Sequence, residues 1–357
     1  MSKTILNVAN NYFGTKLYEN LNKIQLDMGY SVVNLVILNE EHSNEVVLNE
    51  FNNIVILEKK LVSLACRLLP PLRVLFYWKT IKKLSNDGFD IVHSHSLHSN
   101  GSLGYFISRK SNAKHIISVR NVDLNFAIKK LKYLHIWYKK LLTSSFNIQV
   151  LNFAAKEKIE IFSDVSSIVI HNPIDNFWLS GYGEEKLSSL STIKILCLGQ
   201  ICKNKNQLAL IRLINRSERD ITLTLCGEVL EENYDKQLRQ EARFKLDFLG
   251  HIQDKKELRN IILEHDFKFL LSKTETFGLS LVEAGLCGLP VVHTKGQAID
   301  GYIKDQSMCY PYDLAKNTSI DEVLDKIGTV ENNKVQRSFM LCFSKERLVE
   351  KMELLYG

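Results

Sequence analysis

The stretch from residue 267 to residue 292 reads FKFLLSKTETFGLSLVEAGLCGLPVV, and its pattern decides the fold. A short apolar run, Phe267–Leu271, precedes a polar loop, a helix-period segment over Leu279–Cys287, a glycine stop and a second apolar run from Pro290. Apolar strands that alternate with helices are typical of a parallel sheet covered by helices on both faces. The stretch therefore predicts a β–α–β unit of an α/β protein.

The same alternation extends over most of the 357 residues. Right-handed crossovers then predict two doubly wound, Rossmann-like domains facing a cleft, with ligands at the carboxyl ends of the strands. Apolar runs predict strands at Thr4–Val8, Ser31–Ile37, Asn53–Leu57, Ile91–Ser94, His115–Val119, Ile148–Leu151, Ser167–Ile170, Ile193–Leu198, Ile221–Cys226, Lys245–Leu249, Phe267–Leu271 and Pro290–His293.

The alternation stops once, at the polar stretch LSGYGEEKLSSLST over Leu179–Thr192. We predict a first domain over residues 1–172, a linker over 173–192 and a second domain over 193–340. A chain of this length agrees with two domains, at roughly 100–200 residues per domain. Residues 341–357 are predicted to form a helix that packs back on the first domain.

Glu283 lies in the middle of a helix that is apolar around almost its whole circumference, so the helix is predicted to be buried. An unpaired carboxylate in such a place is unfavourable. Two interpretations stay open from the residues alone. The carboxylate belongs to a buried structural ion pair, or it binds the hydroxyl groups of a ligand in the cleft.

The loop before this helix carries a signal for anion binding. Thr276-Phe277-Gly278 leads directly to the helix N-terminus, where free N–H groups and the helix dipole favour anions. Gly278 would let a ligand approach the backbone closely. Glu275 lies in the same loop, so one element could hold a phosphate and sugar hydroxyls together.

A second anion signal follows the predicted strand Ile193–Leu198, in the loop from Gly199 to Asn206. Lys203 and Lys205 lie in this loop, and lysine binds phosphate as a point charge. A solvated turn is the alternative interpretation, because two lysines after a strand are common. The signal gains weight if both loops lie at one edge of one sheet.

The seven cysteines are predicted to be free and structural, since their number is odd and no CxxC pair or Cys/His cluster has zinc spacing. His93 and His95 lie two residues apart at a strand end and would share one face. No carboxylate pair or cysteine near them completes a metal site. We therefore predict no metal site and no cofactor.

The N-terminal stretch MSKTILNVANNYFG lacks the apolar segment of a signal peptide. The sequence contains no run of 18 apolar residues, so no membrane-spanning helix is predicted. A cytoplasmic protein is expected. The net charge of +6 is uneven, because residues 51–150 hold 16 basic and 4 acidic residues. Such an imbalance concerns partners rather than the fold.

Two basic clusters contain interfacial aromatic residues, Lys59–Lys83 with Trp78 and Lys129–Lys140 with Trp137. Basic amphipathic segments with Trp and Tyr favour peripheral contact with an anionic membrane, on the inner face of the cell membrane. A solvated helix face is the alternative. Nucleic acid is not expected as a partner, because no recognisable nucleic-acid module accompanies the charge.

The pattern S-x-x-E-x-F-G-L-x-L-x-E-A-x-x-x-G-L-P-V-V, which contains Glu275 and Glu283, resembles the signature of retaining GT-B glycosyltransferases of the large family 4. Phe89–His95, His171–Asp175 and Phe248–Gly250 are similar to further segments of this family, in the same order. The resemblance covers nearly the whole chain, and its block at 272–292 is the most specific part.

This resemblance implies a retaining, metal-independent glycosyltransferase that takes a nucleoside-diphosphate sugar, with uridine as the usual base. Its acceptor would be a polyprenyl-diphosphate-linked or glycan hydroxyl in the assembly of a bacterial surface polysaccharide such as lipopolysaccharide or capsule. The catalytic residues would be Lys205, on the diphosphate, and Glu275, on the sugar hydroxyls. Donor binding would involve Glu283, on the ribose, and Gly199, Gln200, Lys203, Phe277, Gly278 and Leu279.

The acceptor side would include Gly14, Arg120 and Asn121 in the first domain. The chain departs from the family in three places. Gln200 stands where Arg is common, Arg120 stands where His is common, and the first loop has one glycine, Gly14, where two are common. Gln200 removes one fixed positive charge from the phosphate loop. Two rival functions stay open, a catalytically weak accessory subunit of a glycosyltransferase complex and a nucleotide-sugar epimerase on the same fold.

Overall fold

The computed structural model describes residues 2–10, 12–13, 16–40, 51–180, 192–316, 318–328 and 330–357. The chain divides into two compact units, Met1–Pro173 with Leu348–Gly357, and Ile174–Arg347. Each unit contains one parallel sheet with helices, so the predicted α/β class with two Rossmann-like domains is confirmed. We propose that the two units are the two domains of the protein.

The sheet of the first unit has the strand order β3-β2-β1-β4-β5-β6-β7, and all described pairs are parallel. Its strands are β1 (Thr4–Asn10), β2 (Ser31–Asn39), β3 (Asn52–Glu58), β4 (Ile91–Ser94), β5 (Lys114–Ser118), β6 (Asn147–Val150) and β7 (Ile168–Val169). Its helices are α1 (Leu17–Asp27), α2 (Lys60–Leu68), α3 (Leu72–Phe76), α4 (Trp78–Asp87), α5 (Gly101–Ser111), α6 (His135–Thr143) and α7 (Phe153–Ser163), with a π-helical segment Asp123–Ile128 and a 3-10 turn Lys132–Leu134.

The sheet of the second unit has the parallel order β10-β9-β8-β11-β12-β13, the order of a doubly wound, dinucleotide-binding sheet. Its strands are β8 (Ile193–Leu198), β9 (Ile221–Cys226), β10 (Leu246–Gly250), β11 (Phe267–Leu270), β12 (Val291–Thr294) and β13 (Cys309–Tyr312). Its helices are α8 (Asn176–Leu179), α9 (Gln207–Ile214), α10 (Glu232–Glu241), α11 (Lys255–Leu263), α12 (Leu279–Leu286), α13 (Ile320–Ile327) and α14 (Asn332–Phe343).

The final helix, α15 (Lys345–Tyr356), contributes to the core of the first unit. Its side chains Leu348, Met352, Leu355 and Tyr356 are buried in one cluster with residues of β1, β4 and β5. The Tyr356 hydroxyl accepts a hydrogen bond from Gln25 Nε2 at 2.7 Å and lies 3.2 Å from His93 Nδ1. Residues 341–343, in contrast, belong to α14 of the second unit.

A strand lies at every predicted strand position, with ends shifted by no more than two residues. The helix-period segment Leu72–Leu84 is helical, but it is divided between α3 and α4, because the chain leaves helical geometry at Tyr77. Arg73 in α3 forms an ion pair with the buried Glu58 at 3.0 Å, and the Tyr77 hydroxyl donates to the same carboxylate at 3.1 Å. Both tertiary contacts therefore lie at or beside the break.

Candidate functional site

The two loops with anion signals follow neighbouring strands of the second sheet. β8 and β11 are hydrogen-bonded to each other, although β9 and β10 lie between them in the chain. The strand order reverses between them, and open α/β sheets bind ligands outside the carboxyl ends of strands at such a switch point. The loops 199–206 and 271–278 therefore lie where a ligand is expected.

Lys205 and Glu275, one from each loop, form an ion pair. Lys205 Nζ lies 2.5 Å from Glu275 Oε2, and the two side chains are 20% and 16% exposed. A partly exposed ammonium held in this way can be offered to an incoming anion without a large rearrangement. The sequence predicts each residue as a ligand contact, whereas their pairing is a finding of the structure.

Two asparagines, which the sequence reasoning missed, connect the loops. The Asn204 side chain donates to Thr274 O at 3.0 Å and accepts from Thr274 Oγ1 at 2.7 Å. Asn206 Nδ2 donates to Leu271 O at 3.1 Å, and Lys273 N donates to Asn204 O at 2.8 Å. Asn206 has a positive φ of 59°, which asparagine tolerates better than most residues. These bonds fix the position of Lys205 relative to Glu275.

Gly199 and Gly278 adopt backbone conformations that favour glycine. Gly199 has φ +148° directly after β8, and its carbonyl lies so close to Gly227 that a Cβ at Gly227 would overlap it. Gly278 has φ +73° at the start of α12. A side chain there would lie 3.0 Å from Leu281 Cδ1. A side chain at either position would be strained, so the two loops depend on glycine at these points.

The N-terminus of α12 has no side-chain cap, because Gly278 occupies the cap position. The free N–H groups of a first helical turn and the helix dipole favour an anion. The Phe277 ring is buried and packs edge-on against Tyr302 and Phe343 at centroid distances of 6.0 and 5.8 Å. Phe277 can therefore reach a ligand only through its backbone, whereas the Leu279 side chain is exposed.

Lys268, in the middle of β11, is fully buried below these loops. Its Nζ donates to Leu198 O at 3.0 Å, and Ser280 Oγ donates to the same carbonyl at 3.1 Å. The end of β8, the strand β11 and the first turn of α12 therefore meet at one carbonyl group. Burial lowers the pKa of Lys268 to about 8. A lysine within the apolar run FKFLL is the sequence signal that could have identified it.

Glu283 lies on α12, whose other middle residues are buried, as predicted. Burial raises the pKa of Glu283 to about 7, although Lys268 and Lys255 oppose the shift. Within the described parts of the chain, no cation or hydrogen-bond donor pairs with this carboxylate, so the structural ion pair is not observed. Lys255 instead pairs with Asp175. A partly buried carboxylate without a partner supports the ligand-binding interpretation.

Lys203 and Gln200, also predicted for donor binding, are both exposed. Lys203 Nζ lies 3.7 Å from Glu231 Oε2, so Lys203 has a different carboxylate partner from Lys205. The backbone carbonyl of Gln200 accepts a hydrogen bond from Gln207 Nε2 at 2.9 Å. Of these two lysines, Lys205 pairs with Glu275 and Lys203 pairs with Glu231.

The loop after β12 completes the surroundings of Glu275, a contribution that sequence reasoning missed. Gln297 Oε1 accepts from Glu275 N at 2.9 Å, and Ala298 N donates to Glu275 O at 3.1 Å. Near the same ends of the strands, Ser272 Oγ, Thr294 Oγ1 and Gln207 Oε1 are buried without a hydrogen-bond partner in the described structure. Buried polar atoms in this state are uncommon, and they are typical of positions next to bound water or ligand.

In the first unit, Arg120 lies at the end of β5, and Gly14 lies outside the described residues. Arg120 Nη1 donates to Asn172 Oδ1 at 2.8 Å, and burial lowers the pKa of its guanidinium. The Asn121 side chain accepts from Asn125. A small cavity beside Arg120 has a mostly apolar lining, to which His93 and Gln149 add polar groups, and it has room for about one water molecule.

His93 and His95 share one face as predicted, with ring centroids 4.1 Å apart. His93 Nε2 lies 2.7 Å from Ser118 Oγ, and His95 Nε2 lies 3.1 Å from Asn7 Oδ1, so both rings belong to a buried polar network. Burial lowers the pKa of both imidazoles. Across the described residues, no group of three or more His, Cys, Asp or Glu side chains is placed to hold a metal ion.

All seven cysteines are free thiols, as predicted. Among the helices that the structure describes, none combines the length and the apolar character needed to cross a membrane.

The fold defines an α/β protein with two parallel sheets, and its candidate site lies at the switch point of the second sheet. Residues 184–340 match the sequence model of the family described as glycosyl transferases group 1. The chain is 24% identical over 267 residues to the phosphatidylinositol N-acetylglucosaminyltransferase GPI3 subunit of Saccharomyces cerevisiae (strain RM11-1a). This alignment covers 70% of the chain but only 57% of the length of that relative.

Two further comparisons cover a larger share of both compared chains. The chain is 25% identical over 301 residues to an uncharacterized 41.2 kDa protein in the cps region of Klebsiella pneumoniae, with 77% of this chain and 80% of that protein covered. The crystal structure of Anabaena Alr3699/HepE in complex with UDP superposes with a TM-score of 0.72 over 99% of each chain, at 15% identity. The second unit is therefore similar to glycosyl transferases group 1, and both units share the fold of the Anabaena structure.

Proposed function

We propose that the protein is a retaining, metal-independent glycosyltransferase that moves a sugar from a nucleoside-diphosphate sugar, most favourably a UDP-sugar, to a hydroxyl of a lipid-linked or polysaccharide acceptor. One observation carries this proposal. Lys205 and Glu275 are paired at 2.5 Å between two glycine-containing loops, beside an uncapped helix N-terminus at the switch point of the sheet. The site thus offers positive groups for a diphosphate and a carboxylate for sugar hydroxyls.

The roles follow from the chemistry of each group. Lys205 and the backbone N–H groups of Phe277, Gly278 and Leu279 would neutralise the diphosphate, and Gly199 would admit it next to the main chain. Glu275 would orient the sugar through its hydroxyls, and Glu283 would bind the ribose hydroxyls. Gln200 and Lys203, at the exposed side of the loop, would contact the donor less closely.

The reaction then depends on positioning and on stabilising the leaving group. The bond between the anomeric carbon and the diphosphate oxygen breaks, and its electron pair leaves with the nucleoside diphosphate. The acceptor oxygen bonds to the anomeric carbon on the same face, and its proton passes to the departing diphosphate. Lys205 and the α12 N-terminus would stabilise the negative charge that develops on that oxygen, which is the largest effect available to such a site.

Names of similar proteins support the choice of donor and acceptor. Anabaena Alr3699/HepE was solved with UDP, and the yeast relative is a subunit of a phosphatidylinositol N-acetylglucosaminyltransferase, whose name specifies a lipid acceptor. The Klebsiella relative is encoded in a cps region. We therefore propose a role in surface-polysaccharide assembly, at the cytoplasmic side of the membrane, with Arg120, Asn121 and Gly14 on the acceptor side.

Ligand-dependent thermal unfolding of the full chain, in buffer with EDTA, tests the donor site. We expect UDP and a UDP-sugar to raise the melting temperature more than GDP, ADP or dTDP. A ligand at a hundredfold excess over its Kd stabilises the folded state by about 2.7 kcal/mol. Lys205→Met should weaken the response to UDP by about tenfold in Kd, since a charged hydrogen bond contributes about 1.5–3 kcal/mol.

The matched control is Lys256→Met, which removes an exposed lysine of α11 in the same unit. It should leave the response to UDP unchanged. A flat response of the unmodified protein to every nucleotide would contradict the donor site. A response that needs added Mg²⁺ would contradict only the metal-independent form of the proposal.

A further inference from the structure

One face of the first unit exposes large apolar side chains, and we call it the α2–α3 face. It consists of residues 59–79 and 122–140. Leu61 is 79% exposed, Leu75 is 73% exposed and Ile136 is 87% exposed. The other large apolar side chains on this face that are exposed by more than a third are Leu64, Leu68, Leu69, Phe76, Trp78, Val122 and Tyr133. Exposed apolar residues concentrated in this way mark an interaction surface.

Helix α2 turns its leucines outward. Leu61, Leu64 and Leu68 recur at the spacing of one helix face, whereas Cys66, on the opposite side, is the buried residue of this helix. A surface helix of a globular domain normally directs such a stripe into the core. The reversed orientation leaves the apolar side of α2 available to an external apolar phase.

The two segments of the α2–α3 face are in contact. The Tyr133 hydroxyl donates to Leu68 O at 2.7 Å, which joins the 3-10 turn to the end of α2. The Arg67 guanidinium lies over the Phe126 ring, 5.6 Å from its centroid. The exposed leucines of α2 and the exposed residues around Tyr133 therefore form one surface of the first unit.

The surface is also basic throughout. No Asp or Glu occurs between residues 59 and 86 or between residues 124 and 156. The carboxylates nearest to it, Glu58 and Asp123, are both buried. Glu58 pairs with Arg73, and Asp123 accepts hydrogen bonds from backbone N–H groups, so neither neutralises an exposed charge. The exposed cations of this face are Lys59, Lys60, Arg67, Lys79, Lys129, Lys130, Lys132, Lys139 and Lys140.

We infer that the α2–α3 face docks on an anionic membrane surface. Leucine, phenylalanine and tryptophan side chains at this density gain free energy by entering the boundary between headgroups and acyl chains, while lysines around them attract anionic headgroups. A nucleic acid would satisfy the lysines but leave the leucines in water. The biological role of this docking rests on the proposed function, since a lipid-linked acceptor would be presented at the same membrane surface.

Co-sedimentation of the full chain with vesicles that contain no acceptor tests the docking. Vesicles of phosphatidylcholine with phosphatidylglycerol should bind the protein, and vesicles of phosphatidylcholine alone should bind it weakly. Leu61→Ser with Leu64→Ser should lower the partition coefficient about tenfold or more, because both side chains are exposed and their burial would be lost. Replacing Lys129, Lys130 and Lys132 by Gln should lower it roughly fivefold per lysine, and less at high salt.

The matched control is Leu341→Ser, which changes a leucine of 77% exposure on α14 of the second unit and should leave binding unchanged. Equal binding to neutral vesicles, or loss of binding in the lysine variant but not in the leucine variant, would overturn the inference. Absence of vesicle binding in a protein whose melting temperature responds to UDP would overturn the docking alone. Vesicle binding without a nucleotide response would leave the docking in place and contradict the donor site.

Discussion

Replacing Glu283 by Gln tests whether the Glu283 carboxylate binds a ligand or stabilises the folded protein. The ionised carboxylate is unfavourable in the folded protein, because burial raises its pKa from 4.5 to about 7. A tenfold change in a protonation equilibrium corresponds to about 1.4 kcal/mol, so the ionised form lowers the free energy of unfolding by about 3 kcal/mol. Glutamine has nearly the same shape and no charge, so it removes this destabilisation.

Because Glu283 can be protonated, the stability difference between Glu283→Gln and the unmodified protein should depend on pH. Between pH 4.5 and about 7 the folded protein holds the Glu283 proton and the unfolded chain does not, so the unmodified protein loses stability as the pH rises through this range. The stability gain of Glu283→Gln should therefore be small near about pH 5 and about 2 kcal/mol larger near about pH 7.5. The same variant should bind UDP more weakly, since an amide is a poorer acceptor for ribose hydroxyls than a carboxylate.

Urea unfolding of both proteins at the two pH values measures the first effect, and titration with UDP measures the second. Glu264→Gln is the control, because this glutamate is exposed at the end of α11 and lies outside both loops. A variant that is less stable than the unmodified protein at both pH values would refute the reasoning, since it would indicate a stabilising structural carboxylate. Higher stability with unchanged UDP affinity would refute only the ribose contact.

Lys268→Met should raise the free energy of unfolding near neutral pH, because the buried ammonium is disfavoured until the pH rises above about 8. In urea titrations the difference from the unmodified protein should shrink as the pH rises toward 10.5, whereas a constant difference would show that packing dominates. Gly285→Ala should lower the free energy of unfolding by about 1–3 kcal/mol, because the added methyl group would overlap the Phe339 ring. Phe339→Leu in that background should recover part of the loss in a urea titration, and strictly additive losses would contradict the overlap. Tyr356→Phe should lower the free energy of unfolding by about 1 kcal/mol in the same titration, since the Gln25 side chain loses a buried acceptor, and no change would mean that water replaces the hydroxyl.

The sequence predicts most of the fold because its strands are short Val- and Ile-rich runs bounded by polar loops. β13 escapes this reasoning, since CYPY contains a proline and no Val or Ile, and its strand character comes from pairing with β12. The break at Tyr77 escapes it as well. Nothing within Leu72–Leu84 shows that Arg73 and Tyr77 both bind Glu58 at the end of a distant strand.

For the site, the sequence identifies the loops but not their geometry. Glu275 and Lys205 can be proposed from local pattern, yet their contact joins residues 70 positions apart and depends on strand order. The role of Asn204 is similar, because an asparagine in a loop predicts only a turn. Lys268 is visible as a charge in an apolar run, but its attachment to Leu198 O follows from the neighbouring strand.

The position of α15 has a consequence for the order in which the protein can fold during synthesis. The second unit is one continuous segment, Ile174–Arg347, so its strands and helices leave the ribosome one after another without interruption. The first unit is interrupted, because Leu348, Met352, Leu355 and Tyr356 fill a core whose strands are made before the whole second unit. Domains usually complete in the order of synthesis. Here the half that is begun first would be finished last, and its open core would remain exposed to chaperones and proteases until translation passes Tyr356.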